Sequence, residues 1–347
     1  MMKKKITLLA AILCMAIASL TACSDKKDNE KKPTIVTTIF PEYDWVREVV
    51  KGHEDHWDIS FLMGKGTDLH SYQPSVEDIT KISTCDFFIY VGGESDDWVD
   101  DVLTQAKNKN MKVVNLLETL GDAVKAEEVV EGMEHDHDHE DGDEHDHEDG
   151  DEHDHEDGHE HHHEGEEIEY DEHVWLSLRN ALTLVKAIDK TIEEIDPANA
   201  ADYKKNTDAY VAKLNALDED YKAAVKAGTK DTILFGDRFP FRYLVDDYDL
   251  KYFAAFVGCS AETEASFETI AFLAGKVDEL GLHTVLTIEG NDHKIAETVV
   301  KTAKKSEDIK LASLNSMQGT TAKDAENGTT YYSIMESNLA VLRDALK

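Results

Sequence analysis

The sequence predicts an α/β protein of two lobes, each a parallel β-sheet flanked by helices, with one long rigid helix joining them. Three observations carry that prediction. Short apolar runs alternate with segments of helical periodicity from Thr34 to Leu117, and a second such series begins at Thr232. Strands separated by single helices make parallel sheets covered on both faces. Between the two series, Pro197 to Gly228 has no internal Gly or Pro, which reads as one helix started by the proline and stopped by the glycine. The length of 347 residues also suits about two domains at ~150 residues each.

The first element is a leader. Lys3, Lys4 and Lys5 precede an apolar run from Ile6 to Leu20, closed by Leu20-Thr21-Ala22-Cys23. A basic start, a short apolar run and small residues describe an exported signal over residues 1–22. The run is too short to cross ~30 Å of hydrocarbon. Cys23 directly after the small residues resembles the lipobox of bacterial lipoproteins. That resemblance implies a lipid on Cys23, anchorage to the cell membrane and a polar tether over residues 23–33.

The N-terminal lobe is expected over residues 34–196. Strands fall at Thr34–Thr38, Ile59–Met63, Phe87–Val91 and Val113–Leu117, where apolar and β-branched residues cluster. Helices at Tyr43–Val50, Val76–Ser83 and Trp98–Lys107 separate them, and another runs from Ser177 to Ile195. The linking helix covers 197–228. The C-terminal lobe, 229–347, has strands at Thr232–Phe235, Tyr252–Phe256, Thr284–Ile288 and Lys310–Leu314. Its helices are Phe239–Val245, Phe267–Leu280, Lys294–Lys304 and Tyr332–Leu346. In such sheets, ligands sit beyond the C-terminal strand ends, so the cleft between lobes is the expected site. Cys85 reads as a buried apolar residue, and the acidic run Glu94 to Asp101 as a solvated loop and helix start.

The formal charge is −37, from 36 Lys+Arg against 73 Asp+Glu. Such a chain has little with which to neutralise phosphates, so nucleic acid is excluded as a partner. The charge is uneven. Residues 131–172 hold 23 Asp/Glu, no Lys or Arg, and 11 of the 17 histidines. Within them an eight-residue repeat runs DHDHEDGD, EHDHEDGD, EHDHEDGH over Asp136–His159. With so little apolar surface to bury, this stretch is expected to be a disordered loop. Alternating imidazole and carboxylate suits divalent metals, with imidazole favouring Zn, Cu and Ni.

Six histidines lie outside the tract: His53, His56, His70, His173, His283 and His293. His70 falls in GTDLHSYQPS, between a strand and a helix. His173 falls in DEHVWLSL, between the tract and a helix. Both are at expected ligand-side loop ends. The other four read as surface or edge residues. No P-loop, nucleophile elbow or dinucleotide fingerprint is present, and nothing suggests an enzyme.

GTDLHSYQPS resembles the G-x-D-P-H-x-Y-x-P motif of the zinc- and manganese-binding solute receptors of bacterial ABC importers. DEHVWLSL resembles their second motif, D-P-H-x-W-L-S-P, which also follows an acidic His-rich loop in zinc members. IVTTIFPEYDWVREVVKG, CDFFIYVGGESDDW and YYSIMESNLAVLRDAL are similar to further segments of that family. The resemblance implies two lobes with metal held between them, His70 and His173 as ligands, and an ABC importer permease as partner to a monomeric receptor. The second lobe departs from the pattern. Where zinc members carry a third His, Gly236-Asp237-Arg238-Phe239-Pro240-Phe241-Arg242-Tyr243 stands here, making Asp237 the candidate third ligand. The family's fourth position falls on Asn315 in Leu314-Asn315-Ser316-Met317-Gln318. Glu289 and Cys259 are alternative donors. Two imidazoles and a carboxylate admit Mn²⁺ or another transition metal, while the His-rich tract favours Zn²⁺. The expected function is extracytoplasmic capture of Zn²⁺ for import. A metal-sequestering surface protein or an adhesin is the alternative.

Overall fold

The computed structural model describes residues 31–133, 169–260, 264–290 and 292–347. The leader, the tether up to residue 30 and the His/Asp/Glu repeats lie outside them. No helix among the described residues is long and apolar enough to cross a membrane. Pro33–Lys347 form one compact unit.

In the first lobe, β1 (Thr34–Thr37), β2 (Asp58–Phe61), β3 (Phe87–Tyr90) and β4 (Lys112–Asn115) make a parallel sheet of order β2-β1-β3-β4. β3 is the central apolar strand, and all four of its residues are buried, as expected when helices cover both faces. Cys85, just before it, is buried as expected. The strand expected to run to Leu117 stops at Asn115. The Asn115 side chain accepts a hydrogen bond from Glu118 N at 3.0 Å and so starts a short helix, Leu116–Leu120. Another departure concerns Asp96, expected in solvent. It is buried, and its Oδ2 accepts hydrogen bonds from Val91 N and Gly92 N at 3.0 Å each, tying down the turn after β3.

The second lobe repeats the arrangement with two three-residue and two four-residue strands. β5 (Thr232–Leu234) pairs with β7 (Lys251–Phe253), and β9 (Thr284–Thr287) pairs with β10 (Lys310–Ser313), all parallel. A parallel bridge between Phe235 and Leu286 joins the two pairs, giving the order β7-β5-β9-β10. β6 (Arg238–Phe239) and β8 (Phe256–Val257) form a small parallel pair at the sheet's end. The single strand expected over Tyr252–Phe256 is thus two, β7 and β8. The helix expected from Phe239 begins only at Arg242. Aromatic packing accounts for this: Phe239 stacks on Tyr252 at 3.8 Å between ring centroids and meets Phe235 edge-on at 5.1 Å, which keeps residues 238–239 extended.

The linking helix covers Ala200–Ala227 rather than starting at Pro197, and at ~1.5 Å per residue it is about 42 Å long. Its buried side chains are Tyr203, Thr207, Tyr210, Leu214, Leu217, Tyr221 and Ala224, with Asp218 beside them. The alternating spacing of four and three is a coiled-coil-like seam. It packs on the helix Leu178–Ile195 and on the closing helix Tyr331–Ala345. Trp57 Nε1 donates to Tyr203 Oη at 3.0 Å near one end, and Tyr221 Oη donates to the Met335 carbonyl at 2.7 Å near the other. Trp45 and Trp175 of the first lobe belong to the same buried cluster as Phe235, Leu286 and Tyr331. The apolar core is therefore continuous between the lobes.

Burial pushes three carboxyls of this core upward: Glu42 to about 8, and Asp44 and Asp96 each to about 7. Between the ordinary carboxyl range and these values, the folded chain holds protons that the unfolded chain has released. Their contribution to stability is complete at acid pH and is lost as pH rises through 7 to 8. The thermal midpoint of metal-free protein is expected to be higher at pH 5.5 than at pH 8.5 at fixed ionic strength. A midpoint that climbs over that interval would contradict the assignment.

Candidate metal centre

Two short turns present the histidines. After β2 the chain enters a 3₁₀ turn, Leu69–Ser71, where Asp68 Oδ1 accepts from His70 N at 3.1 Å and buried Leu69 anchors the turn. His173 immediately precedes a second 3₁₀ turn, Val174–Leu176, whose three side chains are all buried. Asp171 Oδ1 accepts from His173 N at 2.8 Å. Ser177 then caps the helix Leu178–Ile195, accepting from Asn180 N at 3.0 Å.

The two imidazoles point at each other, with Nε2 atoms 3.1 Å apart. His173 Nδ1 lies 3.0 Å from Asp171 Oδ1. His70 Nδ1 lies 2.8 Å from Ser95 Oγ and 3.3 Å from Glu172 Oε2. A carboxylate beside Nδ1 places the proton there and leaves the Nε2 lone pair free to bind a metal. Two such lone pairs facing each other repel unless a cation lies between them. Zinc bonds of about 2.05 Å at the tetrahedral angle put two nitrogens about 3.3 Å apart, close to the separation found here.

Cys259 completes the group. His70, His173 and Cys259 each offer a donor atom, and these atoms lie within 4.8 Å of one another. The cysteine follows β8, and its backbone N donates to Glu127 Oε1 at 3.1 Å. Gly258 permits the approach: a Cβ there would stand 2.9 Å from the Phe239 carbonyl oxygen and 3.1 Å from His173 Cε1. The Zn–S bond of about 2.3 Å implies a nitrogen–sulfur edge near 3.6 Å, so a shift of the thiol by about 1.3 Å closes the set. Burial, then the carboxylates of Glu127, Asp171 and Glu172, hold the Cys259 thiol well above its usual range. A cation must therefore displace its proton. Glu172 is buried, which opposes its charge, yet the His70 ring 3.3 Å away and the hydrogen bond from Ser95 N hold it below the ordinary carboxyl range.

The other residues singled out from the sequence are not in this group. Asp237 Oδ1 accepts from Arg238 N at 2.9 Å and Oδ2 from Ile288 N at 3.3 Å, so its carboxylate serves the backbone of its own lobe. Burial raises its pKa. Glu289 accepts from Ser316 N at 2.6 Å, Ser316 Oγ at 2.8 Å and Gly319 N at 3.2 Å. Asn315 Oδ1 accepts from Met317 N at 2.7 Å. Both therefore brace the loop after β10. Among the four peripheral histidines, His53 Nε2 lies 3.0 Å from Asp202 Oδ2 and His56 Nδ1 lies 3.1 Å from Asn199 Nδ2.

Sequence reasoning missed Arg238. Its guanidinium pairs with Asp68 in the His70 turn and reaches the Ser260 carbonyl at 3.4 Å in the Cys259 loop. It thereby ties the two donor-bearing loops together across the lobes. Burial opposes the charge of Asp68, and the Arg238 contact more than offsets this, holding the carboxyl below its usual range. The chemical signal was an arginine directly after the expected ligand Asp237.

A cavity of about 270 Å³ reaches His70 and Cys259 and is lined also by Glu94, Ser95, Glu127, Glu169, Tyr170 and Glu172. The neighbouring Glu169 carboxylate raises the pKa of Glu94, and burial raises that of Glu127. Clustered carboxylates focus a negative potential on this opening. Glu169 is also where the described chain resumes after the His-rich tract. A second cavity of about 520 Å³, lined by Arg238, Glu289, Ser316 and Gln318 among others, includes none of the three donors.

The sequence profile described as zinc-uptake complex component A, periplasmic (ZnuA), matches residues 35–345. The zinc-binding protein AdcA of Streptococcus pyogenes serotype M3 is 32% identical over 342 residues, or 99% of this chain and 61% of that protein. The chain thus spans about three-fifths of that relative's length. The high-affinity zinc uptake system protein ZnuA of Bacillus subtilis is 28% identical over 97% of this chain and 95% of its own. The Zn(II)-bound ZnuA-like domain of Streptococcus pneumoniae AdcA superposes with a TM-score of 0.66 at 27% identity. It covers 91% of this chain and 99% of that domain. The metal-dependent lipoprotein YcdH of Bacillus subtilis gives 0.68 at 26% identity, with 91% and 99% covered. With a profile match over nearly all of the folded residues, this chain belongs to the ZnuA family of zinc-uptake components.

Proposed function

We propose that the protein is an extracytoplasmic receptor that captures Zn²⁺ at His70, His173 and Cys259 and delivers it to an ABC importer permease. The observation that carries this reading is the pair of Nε2 atoms 3.1 Å apart, each ring backed by a carboxylate at Nδ1. Two nitrogens and a thiolate suit zinc and serve Mn²⁺ poorly, because Mn²⁺ stands at the weak end of the series for such donors. The relatives named for zinc binding and zinc uptake support the same cargo. Cleavage after Ala22 and a lipid on Cys23 would hold the receptor at the cell membrane. The S. pneumoniae relative named zinc-binding lipoprotein AdcA supports that anchorage. Residues 34–196 and 229–347 are the lobes in this reading, and the receptor acts as a monomer. The acidic cavity draws cations toward His70, and the His-rich tract adds weak sites that raise the local concentration.

A strain lacking the protein should stop growing when zinc is chelated. The intact chain restores growth, while His70→Ala accumulates to the same level and does not. Equal rescue by the two chains would remove zinc delivery through this site from consideration.

A further inference from the structure

We infer that Gln318 supplies the fourth donor to the ion, its side-chain carbonyl oxygen completing a set of two nitrogens, one sulfur and one oxygen. The inference rests on His70, His173 and Cys259 being the metal site. Gln318 is buried, and its Nε2 lies 3.3 Å from His173 Nε2, the same atom that faces His70. Its Oε1 is buried with no hydrogen-bond partner among the described residues. A carbonyl oxygen left so is costly, and such exceptions call for an explanation.

The side chain is held in place by a loop braced from both lobes. Glu289 accepts from Ser316 and Gly319 on either side of Gln318. Trp175 Nε1, two residues beyond His173, donates to the Ser316 carbonyl at 2.9 Å. Met317 takes a left-handed conformation, φ 71°, stabilised where Asn315 Oδ1 accepts from its N at 2.7 Å. A left-handed φ is uncommon outside Gly and costs free energy that the surrounding contacts must offset. The strained turn directs the next side chain at His173.

A carboxamide suits both states of the site. Without an ion, its NH₂ donates to the His173 Nε2 lone pair. When an ion takes that lone pair, the NH₂ would face a cation. Rotation about the last torsion exchanges nitrogen for oxygen with almost no change of shape, and the oxygen then faces the metal. The resulting four-donor shell matches zinc's tetrahedral preference, whereas Mg²⁺ and Mn²⁺ prefer six oxygen-rich positions. A neutral oxygen in the last place also leaves the shell with only the thiolate's charge.

The test uses the full chain with Gln318→Ala and with Gln318→Met, which keeps volume but has no oxygen. Zinc affinity is read by chelator competition, and donor geometry by the visible absorption of the Co²⁺-loaded protein. Both variants should bind zinc about 10- to 100-fold more weakly, the range for losing a supporting group at a metal site. Both should also shift the Co²⁺ bands, while Gln318→Glu retains tight binding. Unchanged affinity and an unchanged Co²⁺ spectrum in both Gln318→Ala and Gln318→Met would overturn the inference. His70→Ala runs in parallel: if it too binds zinc normally, the three-residue site itself fails, and if it alone loses zinc, only the role of Gln318 does.

Discussion

Cys259→Ser is expected to weaken zinc binding by more than about 100-fold, beyond the range seen for outer partners of a metal site. It should also abolish the sulfur-to-metal charge-transfer absorption of the Co²⁺-loaded protein. Serine keeps the size and the loop but replaces a soft anionic donor by a hydroxyl that stays protonated at neutral pH. Its loop is held by the hydrogen bond from Cys259 N to the Glu127 carboxylate, which the substitution keeps. The metal-free fold should therefore melt as the parent does, and loss of affinity will not be confused with unfolding. Zinc titrations with retained affinity and an intact sulfur band in Cys259→Ser would show that another residue supplies the second-lobe donor.

Zinc capture should release about one proton per ion, and affinity should rise about tenfold per pH unit around neutrality. The cause is the Cys259 thiol, held protonated by burial and by the carboxylates of Glu127, Asp171 and Glu172. Only its thiolate binds the ion, so metal and proton compete at every pH below the thiol's raised value. Calorimetry in buffers of different ionisation enthalpy measures the proton count directly. In Cys259→Ser that proton should vanish from the balance. A parent protein that binds zinc with no proton release would rule out a thiol ligand. The dependence is opposite in sign to that of metal-free stability, which rises on acidification through Glu42, Asp44 and Asp96. Acid thus favours the empty fold and disfavours its cargo.

Much of the fold was legible because the apolar runs are short and the helices well punctuated. Phe267–Leu280 is found as expected, since Ser266 caps it and Gly281 ends it in a left-handed turn. The departures occur where side chains from distant segments decide. Residues 238–239 are extended because of stacking on Tyr252, which no local pattern announces. Asp96 is buried by a turn that its own carboxylate closes.

The site divides in the same way. His70 and His173 sit in contiguous motifs whose turns and caps are local, so their pairing could be anticipated. The donors of the second lobe come from loops whose approach depends on Gly258, on the Arg238–Asp68 pair and on the bracing by Glu289. None of these contacts leaves a periodic trace. From the sequence Cys259 is only an alternative donor beside Glu289, and nothing local sets Gln318 apart. The usable signal was that Cys259 lies just beyond a strand end, unpaired, in a chain expected to bind zinc.

The seam of Tyr203, Tyr210, Leu214, Leu217 and Tyr221 makes one core of both lobes. Prising them apart to free an ion would expose that apolar seam to water. At the proposed zinc site, release would then depend on two loops, 258–260 and 315–319, more than on a hinge between lobes. In the proposed role, a permease would need only to peel those loops from His70 and His173, a local opening that leaves the seam buried.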